Sequence, residues 1–97
     1  MITTKQRAYL RGLANGIEVV LQIGKCGITD QTIKQLNDVL EARELVKIQC
    51  LETSFISPRE AAQQTAEICR ADIVQVIGTK YILYRPRKKD PKIVLKK

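Results

Sequence analysis

Histidine is absent from this chain of 97 residues. Its absence removes the commonest metal ligand and the usual general base, and with them any Cys-His nucleophile. Cysteine is scarce and odd in number: Cys26, Cys50 and Cys69, none in C-x-x-C spacing. Neither a disulfide framework nor a zinc site is suggested. No apolar stretch approaches the roughly 20 residues needed to span a bilayer. The opening Met1-Ile2-Thr3-Thr4-Lys5 lacks a signal-peptide core, so a cytoplasmic protein with no membrane partner is expected. Glycine is present without the G-x-x-x-x-G-K-[ST] or G-x-G-x-x-G patterns of nucleotide sites. No paired carboxylates stand near it, so no cofactor, no metal and no small-molecule substrate are expected.

What the chain has in excess is positive charge, +7 overall. The excess is unevenly placed. From Arg85 onward seven basic residues face one acid, Asp90, whereas residues 1–84 carry ten basic and nine acidic residues. A basic arm of this kind points to an anionic partner, nucleic acid being the commonest. The length suits one compact domain, and a chain of this size buries roughly two thirds of its unfolded surface.

Local signals give the order of elements. Thr3-x-x-Gln6 resembles a capping box, so a helix is expected from about Thr4 to Ala14, with Leu10, Leu13 and Ala14 on one side. Arg7 and Arg11 are four apart and share another face. Ile17 to Ile23 reads as a strand. Thr29 or Asp30 caps a second helix, with Ile33, Leu36 and Leu40 at helical spacing, ending near Arg43 or Glu44. Leu45 to Leu51 is a second strand, in which Val46, Ile48 and Cys50 alternate with Lys47 and Gln49. Ser57-Pro58-Arg59-Glu60 opens a third helix by cap, first-turn proline and capping box. That helix runs to about Arg70, with Ala61, Ala62, Thr65, Ala66, Ile68 and Cys69 inside. Ile73 to Ile77 and Tyr81 to Tyr84 form a final hairpin around Gly78-Thr79-Lys80. Cys50 and Cys69 read as small core residues.

The order α-β-α-β-α-β-β implies an α/β (α+β two-layer) domain with a four-stranded mixed sheet. A sheet covered on both faces would read as continuously apolar. Gln22, Lys47, Gln49 and Gln75 interrupt these strands, so helices are expected mainly on one face. Residues 1–86 form the domain and 87–97 a basic C-terminal extension.

Gly24-Lys25-Cys26-Gly27, between the first strand and the second helix, is the most informative motif. Two glycines let the backbone bend and approach a partner closely. Lysine supplies charge, and the helix that follows offers unpaired amides and the positive end of its dipole. The amides of Lys25 to Ile28 are expected to take one phosphate. Lys25, Lys5, Arg7 and Arg11 are expected to hold its neighbours, with Arg85, Arg87, Lys88 and Lys89 adding reach. The aromatics available for base stacking are few: Tyr9, Phe55, Tyr81 and Tyr84. Tyr81 and Tyr84 lie on opposite faces of one strand, which puts at least one in the core.

Three segments in order carry a family likeness: Lys5-x-Arg7-x-x-Leu10-Arg11, Gly24-Lys25-Cys26-Gly27 with Ile28-Thr29, and Val74-Gln75-Val76-Ile77-Gly78 leading to Leu83-Tyr84-Arg85-Pro86. From Lys5 to about Arg87 the chain resembles the CRM domain (chloroplast RNA splicing and ribosome maturation) in its bacterial stand-alone, YhbY-like form. The resemblance implies a fold similar to the C-terminal domain of translation initiation factor 3. It also implies RNA binding to rRNA in precursors of the large ribosomal subunit, with the glycine loop and the basic face of the first helix as RNA contacts; a monomer that is not an enzyme is expected. A cysteine in the loop is no hallmark of that family. Rival readings are a nonspecific DNA- or polyanion-binding module, a protein-binding module and a nucleotide-dependent enzyme.

Overall fold

The computed structural model describes residues 2–25, 27–52 and 55–86. Seven elements follow one another: α1 (Thr4–Ala14), β1 (Val19–Ile23), α2 (Asp30–Arg43), β2 (Leu45–Cys50), α3 (Pro58–Cys69), β3 (Asp72–Ile77) and β4 (Lys80–Tyr84). The helix starts follow local chemistry. Thr3 accepts the Gln6 N–H while the Gln6 side chain accepts the Thr3 N–H, which completes the capping box. Thr29 accepts from Thr32 N–H, and Ser57 accepts from Glu60 N–H with Pro58 in the first turn. The first strand starts at Val19 rather than Ile17, and Ile17 packs half-buried beneath α1.

The sheet order is β1-β2-β4-β3. β1 and β2 pair in parallel, and β4 lies antiparallel between β2 and β3. The three parallel strands therefore send their carboxyl ends to one edge of the molecule. A two-residue turn, Gly78-Thr79, joins β3 to β4, with Gly78 at φ +56.

Two apolar clusters sandwich the sheet. Beneath α2 and α3 lie Ile23, Leu36, Leu40, Val46, Ile48, Tyr81 and Leu83, with the small Ala61, Ala62, Ala66 and Cys69 letting α3 pack close. On the opposite face α1 presses Leu10 and Ala14 onto Leu45, Val74, Ile82 and Tyr84. Helices thus sit mainly on one face, with α1 alone on the other. Tyr81 and Tyr84 are both buried, each in a different cluster, so β4 is covered on both sides.

In α3 one side chain departs from the sequence reading. Ile68, placed inside α3 by its spacing, is 56% exposed. Its neighbours Thr65, Ala66 and Cys69 already fill the stripe that meets the sheet, so Ile68 falls just outside it.

Candidate nucleic-acid interface

The glycine loop leaves the carboxyl end of β1, the edge strand. Gly27 N–H donates to the Gly24 carbonyl at 3.0 Å and closes a turn. Gly27 sits at φ +67, where a side chain is disfavoured, although a Cβ there would meet nothing within 4 Å. Glycine is needed for backbone conformation, not for room. The turn leaves Lys25 exposed.

Two other connections meet this one. Leu51 N–H donates to the Ile23 carbonyl at 2.8 Å, which ties the start of the β2–α3 connection to the residue preceding Gly24. Cys50 N–H donates to the Thr79 carbonyl at 2.7 Å, which brings in the β3–β4 turn. Because α2 and α3 both follow parallel strands, both helices open at this same end.

The amide cradle is smaller than the sequence suggests. Gly27 N–H is spent inside the turn and Thr32 N–H on the Thr29 hydroxyl at 3.2 Å. Asp30 adds an exposed negative charge in the first turn of α2. The loop's clearest offering to a phosphate is therefore Lys25 itself. Cys26 lies outside the described residues.

Lys5, Arg7 and Arg11 are exposed along α1. They belong to the layer opposite α2, so the basic groups are carried on two different layers. Arg85 is placed differently from the sequence reading. Its guanidinium donates to Asn37 Oδ1 at 2.8 Å, to the Cys69 carbonyl at 2.9 Å and to the Asn37 carbonyl at 3.2 Å, and it lies 3.6 Å from Glu41. Those donors lock α2 to α3 and are not turned toward a ligand. Arg87, Lys88 and Lys89 lie outside the described residues.

The register adds groups that sequence reasoning did not join. Gln22 pairs with Gln49, Gln49 with Lys80, and Lys80 with Ile77, so these four residues form one row across all four strands. The row lies on the α1 face at the loop end, beyond the part of that face which α1 covers, and Gln22, Ile77 and Lys80 are exposed. Lys47 stands in the next row, opposite Ile82. Alternation in β2 marked Lys47 and Gln49 as outward, but only strand order and register align them with Lys80.

Burial pushes the Cys50, Cys69, Tyr81 and Tyr84 side chains up from their ordinary values, and all four are core groups. Among the described residues no three His, Cys, Asp or Glu side chains gather where they would hold a metal, and no helix is long and apolar enough to cross a membrane.

The decisive comparison is with family models: residues 2–85 match that of the CRS1/YhbY (CRM) domain. The chain belongs to the CRM domain family. Relatives of this CRM chain include the "Probable RNA-binding protein YqeI" of Bacillus subtilis, 36% identical over 95 residues and covered over 99% of its length by 98% of this chain. The "Probable RNA-binding protein MJ0652" of Methanocaldococcus jannaschii is 32% identical over 98 residues, 99% of this chain and 72% of that protein. A solution structure from Staphylococcus aureus shares the fold of this CRM domain with a TM-score of 0.83 and 44% identity, over 99% of this chain and 100% of that one.

Proposed function

We propose that this chain is an RNA-binding protein that engages rRNA in precursors of the large ribosomal subunit and acts there as an assembly or maturation factor. The observation that carries the RNA reading is the CRM match over residues 2–85, joined to relatives named as RNA-binding proteins. The ribosomal assignment rests on the family likeness of the α1, glycine-loop and β3–β4 segments.

In this reading Lys25, held out by the Gly24–Gly27 turn, contacts one phosphate. Lys80 on the open sheet face and the half-buried Lys47 in the next row continue the track, and Lys5, Arg7 and Arg11 on α1 hold phosphates on the other side of the same RNA. The cations of the 87–97 extension add nonspecific attraction. Phosphate contacts position a protein without reading sequence, so recognition is of folded RNA shape. The protein works in the cytoplasm as a monomer, without catalysis and without a small-molecule substrate.

Two measurements test this. Affinity for structured rRNA fragments should fall steeply with salt, because each phosphate neutralised releases counterions. Lys25→Glu should weaken it while leaving the circular dichroism spectrum unchanged. Affinity indifferent to salt and to Lys25→Glu rejects the proposal. The basic extension also suits duplex DNA, so competition between an rRNA fragment and a duplex at one salt concentration decides between an RNA-selective protein and a general polyanion binder. Crosslinking in growing cells, followed by sequencing of the attached RNA, tests the ribosomal assignment.

A further inference from the structure

One side chain at the loop end has no part in holding phosphates. Phe55, in the β2–α3 connection, is 85% exposed, the most open of the large apolar side chains described. Water solvates a bare aromatic ring poorly, and this ring is presented by a backbone anchored on its C-terminal side. Next to it, Ile56 is half-buried against the main core and Ser57 caps α3 by accepting the Glu60 N–H at 3.1 Å. At the other end of the connection, the Leu51 N–H is bonded to the Ile23 carbonyl beside Gly24.

The charges around Phe55 argue against a phosphate role for the connection itself. Glu52 precedes it, and Arg59 and Glu60 follow in the first turn of α3, all exposed. What the connection offers is the ring. The neighbouring connections supply Lys25 and Lys80, so the surroundings favour a polyanion that also carries flat apolar faces. An RNA base answers that description, but only when it is unpaired, since a duplex hides its base faces in the stack. Of the other aromatics, Tyr81 and Tyr84 are buried, and Tyr9 belongs to α1, the layer across the sheet.

We infer that Phe55 is a stacking platform for an unpaired RNA base whose backbone lies along the Gly24–Gly27 turn. This rests on the RNA-binding reading above and adds to it the class of nucleotide that the loop end selects: one in a loop, bulge or single strand.

The chain contains no tryptophan, so Phe55→Trp introduces a single indole reporter. The wild type, Phe55→Ala, Phe55→Trp and Lys25→Glu are titrated with two RNAs of equal length, a hairpin with a wide loop and a fully paired duplex. Phe55→Ala should bind the hairpin roughly tenfold more weakly and the duplex about as before. Phe55→Trp should keep its affinity, with emission quenched by the hairpin. Phe55 contributes nothing to the core, so both variants should melt near the wild type. Wild-type affinity of Phe55→Ala for the hairpin, or unchanged Phe55→Trp emission in the bound state, overturns the inference while leaving RNA binding intact. Failure of the folded wild type to bind either RNA removes the RNA reading, and the stacking role with it.

Discussion

Arg85 Nη1 donates to Asn37 Oδ1 at 2.8 Å across 48 positions of sequence. The same guanidinium reaches the carbonyls of Asn37 and Cys69. The Arg85 N–H donates to the carbonyl of Glu44, the fully buried residue at φ +65 that turns α2 into β2. One residue therefore closes the end of β4, the end of α2 and the end of α3 together.

Replacing Arg85 by alanine should cost about 2 kcal/mol or more, because charge-assisted bonds to part-buried partners are lost. Lysine should not restore it, since an ammonium cannot reproduce the fork that serves Asn37 and Cys69 at once. Urea denaturation of Arg85→Ala, Asn37→Ala and the double variant should show strong non-additivity. Simple addition of the two effects would contradict the shared bond.

Inside the main core the Tyr81 and Thr65 hydroxyls meet at 3.1 Å, and Thr65 donates to the Ala61 carbonyl at 2.7 Å. Thr65 has one proton, so Tyr81 is the donor in the pair. Thr65→Val leaves the Tyr81 hydroxyl buried without a partner and should cost about 1–3 kcal/mol. Tyr81→Phe leaves Thr65 bonded to Ala61 and should cost less. Equal destabilisation of the two variants in chemical denaturation would contradict the assignment of donor and acceptor.

Burial holds the Tyr81 phenol well above the usual tyrosine range. In the unfolded chain it titrates near ~10. A raised native value means that its contribution to stability is complete below ~10 and is lost as pH climbs from there toward the native value. Denaturation midpoints should therefore be flat to about pH 8, where the unfolded cysteines begin to ionise, and fall more steeply once tyrosine ionises near pH ~10. Tyr81→Phe should fall less steeply, with Cys50, Cys69 and Tyr84, all shifted upward by burial, accounting for the remainder. An alkaline limb identical to that of the wild type would count against Tyr81.

Gly27→Ala should cost about 1 kcal/mol in stability, the penalty of a left-handed conformation alone, because no atom lies within 4 Å of the new Cβ. Gly78→Ala should behave alike, at φ +56 and with equally open space. A loss of several kcal/mol at Gly27, measured by thermal unfolding, would mean that the loop is packed rather than free.

What could be read in advance was local. Thr3 with Gln6, Thr29, and Ser57 with Pro58 mark helix starts because a cap and its partner stand within three residues of each other. Thr3 and Ser57 cap where the sequence placed them, and of the two candidates Thr29 and Asp30 the cap is Thr29. The alternation of Val46 and Ile48 with Lys47 and Gln49 likewise follows from the pleat of a single strand. The Gly24–Gly27 turn needed only two glycines three positions apart and the helix that follows.

The chain's own order of residues settled seven elements, their caps, the basic bias and a bend after β1, since each depends on neighbours a few positions apart. Folding in three dimensions decided the rest. It inserted β4 between β2 and β3, aligned Gln22, Gln49, Lys80 and Ile77 in one row, drew Arg85 inward to Asn37, and left Phe55 outside while both strand tyrosines went in. Those outcomes turn on strand order and on which surface is covered, and they join residues tens of positions apart, where no local preference reaches.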